Sequence, residues 1–135
     1  MARKIIVLLV GYLIFLGYLL YTTFYSPKET APKQVIYGIA SWYGDYFHGK
    51  PMSNRKPFDM NKVSVAHRDL PLDVTKVLVT NTLNGKEVIA LVTDRGPYVK
   101  KKGRYTRDLD LSKEAARQLG AIEAGLIPVR IEVLE

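Results

Sequence analysis

Asp59 and His67 are the residues of this chain best placed for acid–base chemistry. They lie eight positions apart in the stretch Pro57-Phe58-Asp59-Met60-Asn61-Lys62-Val63-Ser64-Val65-Ala66-His67. A carboxylate and an imidazole brought together can pass a proton to and from a reacting group. The same two residues also fit a plainer account, in which Asp59 caps a turn and His67 is a satisfied core histidine. A second constellation is Thr93-Asp94-Arg95-Gly96-Pro97-Tyr98. There the Gly-Pro turn leaves Asp94 and Arg95 at a strand end, a common place for functional groups. Its plainer account is an Asp–Arg pair holding the turn. Asp108 and Asp110 stand just before a helix, and Asp110 is expected to accept backbone hydrogen bonds at a turn. Lys100-Lys101-Lys102 reads as a solvated loop, with contact to an anionic polymer as the functional alternative. Two histidines and no cysteine make a poor ligand set, so no metal site and no cofactor is expected.

The elements that must position these groups read mostly as strands. Val63 to His67 is a short run with apolar side chains at alternate positions, and Pro57 makes a helix before it unfavourable. Val35 to Gly44 is rich in β-branched and aromatic residues, and Gly38 and Gly44 suggest a bend or a close backbone approach. Asp45 to Lys56 is a polar loop, and Leu70-Pro71-Leu72 interrupts the strand pattern. Thr75 to Asn81 alternates, Asn84-Gly85 is the strongest hairpin signal, and Glu87 to Val92 returns as its partner. Ser112 to Leu119 is the one helix expected here, with Ser112 as N-cap, Glu114 in the first turn and Gly120 at the end. Leu126 to Leu134 closes the chain as a strand. Many short strands with one helix predict a mainly β fold, a small barrel with little exposed edge.

The N-terminal segment is of another kind. After Arg3 and Lys4, the 21 residues Ile5 to Tyr25 hold no charge. As a helix they span about 31 Å, close to the ~30 Å hydrocarbon thickness of a bilayer. The exit, Tyr21-Thr22-Thr23-Phe24-Tyr25-Ser26-Pro27, is bulky where a signal peptidase requires small residues, so an uncleaved anchor is expected rather than a signal peptide. Tyr21, Phe24 and Tyr25 suit the interfacial aromatic belt. The predicted organisation is a membrane anchor over 1–26, an extended Pro-containing linker over 27–33 and a barrel over 34–135. Arg3 and Lys4 favour a cytoplasmic N-terminus, although Lys28 and Lys33 weaken the asymmetry. The formal net charge of +7 suits nucleic acid, phospholipid headgroups or the anionic groups of a cell wall, and does not choose among them.

Gly38-Ile39-Ala40-Ser41-Trp42-Tyr43-Gly44, Phe47-His48-Gly49, Phe58-Asp59-Met60 and Val65-Ala66-His67 resemble the rare lipoprotein A (RlpA) family. So do Leu70-Pro71-Leu72, Val79-Thr80-Asn81, Asn84-Gly85-Lys86, Asp94-Arg95-Gly96-Pro97-Tyr98, Leu109-Asp110-Leu111-Ser112, Ala115-Ala116 and Leu119-Gly120. The resemblance runs from about Val35 to Leu134. It implies a six-stranded double-psi β-barrel outside the cytoplasmic membrane, with the N-terminus cytoplasmic. It also implies lytic transglycosylation of peptidoglycan, in which the MurNAc–GlcNAc bond is cut and a 1,6-anhydro-muramyl end is left. The implied partners are glycan strands and, through residues 5–25, the cytoplasmic membrane. The external placement argues against nucleic acid.

Such a reaction needs an acid for the leaving glycosidic oxygen, stabilisation of an oxocarbenium-like centre, and a base for the sugar's own 6-hydroxyl. Because the nucleophile is intramolecular, one carboxyl group that gives and then takes a proton suffices. By resemblance, Asp59, His67 and Asp94 are the expected catalytic residues. Stacking on sugar faces is expected of Trp42, Tyr43, Tyr46 and Phe47, with His48 and Arg95 as further substrate-binding residues; Trp42 has a core role as its alternative. The chain departs from the family at Arg55-Lys56, which stand where Gly-Glu is usual. Lysine is no replacement acid at neutral pH. The lipid-anchor cysteine is also absent, with the membrane helix expected in its place, and no C-terminal glycan-binding repeat domain is expected. Three readings follow: a membrane-anchored transglycosylase, an expansin-like wall-loosening or glycan-binding module marked by Lys56, and a non-enzymatic envelope adaptor.

Overall fold

The computed structural model of the protein describes residues 1–25 and 31–134, so the linker reading over 27–33 falls largely outside the described residues. The chain divides into two compact units, Met1–Ala31 and Pro32–Glu135. The first holds α1 (Ala2–Phe24), 23 residues of almost unbroken apolar side chains, long and apolar enough to cross a membrane. The hydroxyls of Thr22 and Thr23 both donate back to the carbonyl of Leu19.

The second unit is a closed barrel of β1 (Gln34–Tyr43), β2 (Ser64–Ala66), β3 (Lys76–Asn81), β4 (Glu87–Asp94), β7 (Leu109–Ser112) and β8 (Leu126–Val133). Around the barrel the order is β1-β7-β2-β4-β3-β8. β1 with β7 and β2 with β4 run parallel; the other four pairings are antiparallel. Strict alternation builds the interior. Val77, Val79 and Asn81 of β3, and Ile127, Val129, Ile131 and Val133 of β8, point inward and are buried. Closure leaves no free edge among these six strands.

α2 (Lys113–Gln118) covers one end with Ala115, Ala116 and the following Leu119, all buried. Ser112 is its N-cap, and its Oγ accepts from the amides of both Ala115 (3.3 Å) and Ser64 (3.1 Å). Gly120 follows the helix at φ +65°, the left-handed conformation that glycine adopts without a Cβ clash. The Asn84-Gly85 turn joins β3 to β4. The Gly85 amide donates to the Asn81 carbonyl at 2.8 Å. The side-chain amides of Asn81 and Asn84 both donate to the Leu119 carbonyl, at 2.9 and 3.0 Å, and so tie the hairpin to the end of the helix. Gly38 lies under the Asp108 carboxylate, which would collide with any Cβ there and which accepts from the Ile39 amide at 3.0 Å.

Two local expectations are corrected. Asp110 lies in β7 rather than at a turn. Leu109-Asp110-Leu111-Ser112 is too short to stand out as a strand, runs into α2 without a breaker, and is held by non-local pairing with β1 and β2. Lys100–Lys102 belongs to a small hairpin, β5 (Lys100–Lys101) with β6 (Arg104–Tyr105), turned by Lys102 and Gly103 at positive φ. Its side chains are solvent-exposed, and Arg68 and Lys100 lie over the Tyr105 ring.

Candidate active site

Register places four residues in a row across the barrel wall. Ser41 of β1 pairs with Asp110 of β7, Asp110 with Ala66 of β2, and Ala66 with Asp94 of β4. Two carboxylates therefore flank an alanine, their strands roughly 9.5 Å apart. The small Ala66 side chain leaves room between them. The resulting cleft, about 140 Å³, is lined by Tyr43, Phe47, Ala66, Asp94, Arg95 and Asp110.

The two carboxylates are held differently. Asp94 Oδ1 accepts from the Ser53 amide (2.8 Å), the Ser53 hydroxyl (2.7 Å) and the Arg95 amide (2.8 Å). Asp110 is half-buried and takes one hydrogen bond, from the Ser41 hydroxyl to Oδ1. Burial raises its pKa above the ordinary 3.8, and the neighbouring Asp94 charge adds to this, while the Ser41 hydrogen bond and Arg107 oppose it. A carboxyl group that keeps its proton to higher pH is suited to act as a general acid.

Tyr43 closes one side. Its ring stacks on Phe58 at 4.3 Å and meets the Phe47 ring edge-on at 5.7 Å, so other aromatics already engage it. Its hydroxyl is buried and has no hydrogen-bond partner among the described residues. Burial, then the charges of Asp94 and Asp110, push its pKa well above the usual range, so the phenol stays protonated and able to donate. A buried donor left unpaired costs roughly 1–3 kcal/mol unless a ligand atom completes it.

Arg95 does not pair with the Asp94 carboxylate. Its Nη1 donates to the carbonyls of Leu70 (2.6 Å) and His67 (3.2 Å), which braces the turn after β2. His67 is buried in that turn. Its Nδ1 accepts from the amides of Asp69 and Leu70, both at 3.1 Å, and its own amide donates to the Asp94 carbonyl. An accepting Nδ1 places the neutral ring's proton on Nε2. Burial and then Arg68 lower its pKa below the ordinary 6.5. Among the described residues, no hydrogen bond or ion pair joins the His67 ring to Asp59, Asp94 or Asp110.

Asp59 faces a different, larger groove of about 370 Å³, shared with Met52, Lys56, Lys62, Ser64 and Asp73. Its Oδ1 accepts from the Asn61 amide at 3.0 Å and lies 3.9 Å from His48 Nδ1, which itself accepts from the Met60 amide. Tyr46 and Phe47 are exposed beside the cleft, with Lys50 Nζ 3.2 Å from the Tyr46 ring centre. Trp42 packs against the core and against Gly44, in line with its alternative core role. The structure thus brings Asp94, Arg95, Tyr43 and Phe47 together and sets Asp59 with His48 next door. Asp110 and Ser53 join this candidate site although the sequence reading did not place them in it. The signal for Asp110 was the polar position between buried Leu109 and Leu111.

Comparison with known proteins gives a consistent result. The lytic transglycolase family, a double-psi β-barrel family, matches residues 35–131. Proteins named endolytic peptidoglycan transglycosylase RlpA are similar: that of Campylobacter jejuni is 44% identical over 82% of this chain and 38% of its own length. That of Neisseria meningitidis is 44% identical over 80% of this chain and 43% of its own. The chain thus spans about two fifths of the length of these relatives. Among solved structures, the Streptomyces papain inhibitor aligns with TM-score 0.61 and 20% identity, over 77% of this chain and 97% of that one. A Clavibacter michiganensis expansin aligns with TM-score 0.55 and 24% identity, over 76% and 51%. At that identity these two share the fold alone. Taken with the closed barrel and the family match over most of its length, the chain belongs to the lytic transglycolase family of double-psi β-barrels, the RlpA family.

Proposed function

We propose that this protein is a peptidoglycan lytic transglycosylase, anchored in the cytoplasmic membrane by residues 5–25 with its barrel on the outer side. The observation that carries the reading is the cleft in which Asp110, with its raised pKa, and Asp94 flank Ala66 beneath the unpartnered Tyr43 hydroxyl. Asp110 protonates the glycosidic oxygen as the bond from MurNAc C1 to the GlcNAc oxygen breaks. The carboxylate so formed then takes the proton of the muramyl 6-hydroxyl while O6 closes on C1, giving the 1,6-anhydro end with no water consumed. Asp94, fixed by three donors, supplies negative charge beside the oxocarbenium-like centre, and the Tyr43 hydroxyl donates to a sugar oxygen. His67 positions the segment that carries Arg95, and Asp59 lines the neighbouring groove.

Lys56 does not line the carboxylate cleft, so the charge reversal there leaves the acid in place. The test is incubation of the full chain with purified sacculi and mass spectrometry of new 1,6-anhydro-muramyl ends. Asp110→Asn should lower product formation by about 10²–10⁴-fold. Unchanged output from that variant would move the acid elsewhere, with Asp94→Asn and Asp59→Asn as the next candidates. Retention on sacculi without any product from the wild-type chain would favour the wall-loosening or binding module.

A further inference from the structure

Between β4 and β7 the chain makes the β5–β6 hairpin, and the charge of that hairpin is one-sided. Tyr98-Val99-Lys100-Lys101-Lys102-Gly103-Arg104-Tyr105-Thr106 holds four cations and no carboxylate, in a chain whose formal net charge is +7. Every one of these residues is exposed. Lys100, Lys101, Lys102 and Arg104 form no ion pair among the described residues. Like charges on one short hairpin repel, so the fold must hold it from its base. Arg68 Nη1 donates to the Pro97 carbonyl at 3.0 Å and to the Arg107 carbonyl at 2.6 Å, gripping both ends. The Thr106 amide and hydroxyl both donate to the Val99 carbonyl, at 3.0 and 3.2 Å. Asp108, the first carboxylate after the hairpin, is engaged by Arg68 at 3.4 Å and by the Ile39 amide. The four cations are thus fixed in place, exposed and uncompensated, which suits a partner rich in anions.

Two observations select a lipid surface over a sugar polymer. The first is the state of the aromatic rings. Tyr98 and Tyr105 are exposed among the cations with Val99, their rings 6.5 Å apart. The Tyr105 ring already carries Arg68 at 4.2 Å and Lys100 at 4.5 Å, which makes it a poor platform for a sugar face. Tyrosine mixed with lysine and arginine fits the headgroup layer of a bilayer. The second is topology. β1 and β7 run parallel, so both are entered from the same end; residues 25–33 lead into β1 and the hairpin leads toward β7. Those nine residues after α1 reach at most about 32 Å.

We infer that the β5–β6 hairpin is a lipid-facing surface, with Lys100, Lys101, Lys102 and Arg104 binding phosphates of an anionic bilayer and Tyr98 and Tyr105 at headgroup level. The inference rests on the anchored reading of residues 5–25. Four cations give a reversible, salt-sensitive association, made effective by a tether that keeps its local concentration high. The surface orients a tethered barrel and does not retain a released one.

The test places the full chain in lipid nanodiscs, which leave both bilayer faces open to reagent. Discs of phosphatidylcholine are compared with discs containing phosphatidylglycerol. A soluble amine-acylating reagent is added, and mass spectrometry follows the rate at each lysine. Lys76 and Lys86, exposed elsewhere on the barrel, serve as references. Relative to them, Lys100, Lys101 and Lys102 should react about five-fold more slowly in anionic than in neutral discs. About 1 M salt should remove the difference, since the screening length falls to ~3 Å. Lys101→Glu combined with Arg104→Glu should return Lys100 and Lys102 to their neutral-disc rates. Equal relative rates in the two kinds of disc would overturn the inference. So would protection of the three lysines by added glycan strands but not by phosphatidylglycerol, which would assign the surface to a wall polymer. Failure of the chain to co-elute with neutral discs would remove the anchored reading. Retention by anionic discs with the same protection would then still support the hairpin surface, and no retention would overturn it.

Discussion

At the scale of single residues, the cleft separates two aspartates that look alike in sequence. Asp110 is the destabilised one. Its folded pKa lies above 3.8, so the native state binds more protons than the unfolded chain between that value and its raised pKa, and stability falls as pH rises through the window. Asp110→Asn should therefore remove activity without lowering the urea midpoint at neutral pH; a large loss of stability would mean that its ionised form is structural. His67 runs the other way. Its folded pKa lies below 6.5, so the unfolded chain takes up the proton first, and the stability it lends is full above pH 6.5 and lost as pH falls through the folded value. His67→Ala orphans two amides and should cost about 2 kcal/mol at neutral pH, with a smaller difference from wild type in mild acid. Denaturant melts of both proteins across that range measure it. The sequence singled out His67 and Asp94, both of which the structure holds in dense hydrogen-bond networks. It could not show that the imidazole is occupied by the Asp69 and Leu70 amides, because that bond depends on a turn braced by Arg95, which lies just after β4.

At the scale of elements, the serine that ends β7 serves two neighbours at once. Ser112 Oγ caps α2 and also satisfies the first amide of β2, so Ser112→Ala should cost about 2 kcal/mol, above the loss of an ordinary cap. A helix cap was readable from the sequence; the second acceptor role was not, since Ser64 is far along the chain. The turn at Arg55 makes the opposite prediction. Arg55→Gly relieves a left-handed arginine and should raise stability by about 1 kcal/mol in thermal or chemical unfolding, with glycan binding unchanged. Strands with clear alternation or a glycine-marked hairpin, such as β3, β4 and β8, were legible. β7 was not, because four residues carry too little pattern to compete with the adjoining helix signal, and its place comes from parallel pairing with β1.

At the scale of the whole molecule, the chain holds two units of different composition. The barrel core is built from residues between Ala40 and Val133, and none of the residues of α1 is buried. Removing residues 1–31 should leave the unfolding transition of the barrel unchanged while releasing the protein from the membrane fraction; the full chain should resist alkaline extraction. Composition made both units visible, since 21 uncharged residues and a run of short strands obey different rules. The closed double-psi barrel was implied by the family resemblance, and the strand order around it only by the structure, as pairings between distant segments leave no local mark. The Asn84-Gly85 hairpin also carries a chemical clock. Asparagine before glycine is the sequence most prone to spontaneous deamidation, which begins when the glycine nitrogen attacks the asparagine side chain. Here that nitrogen is committed to the Asn81 carbonyl and the side-chain amide to Leu119, so ageing at Asn84 should proceed only in molecules whose hairpin has come away from the helix. The slow accumulation of acid at this one position in stored protein would then record how often the barrel opens, in a sample that spectroscopically looks fully native.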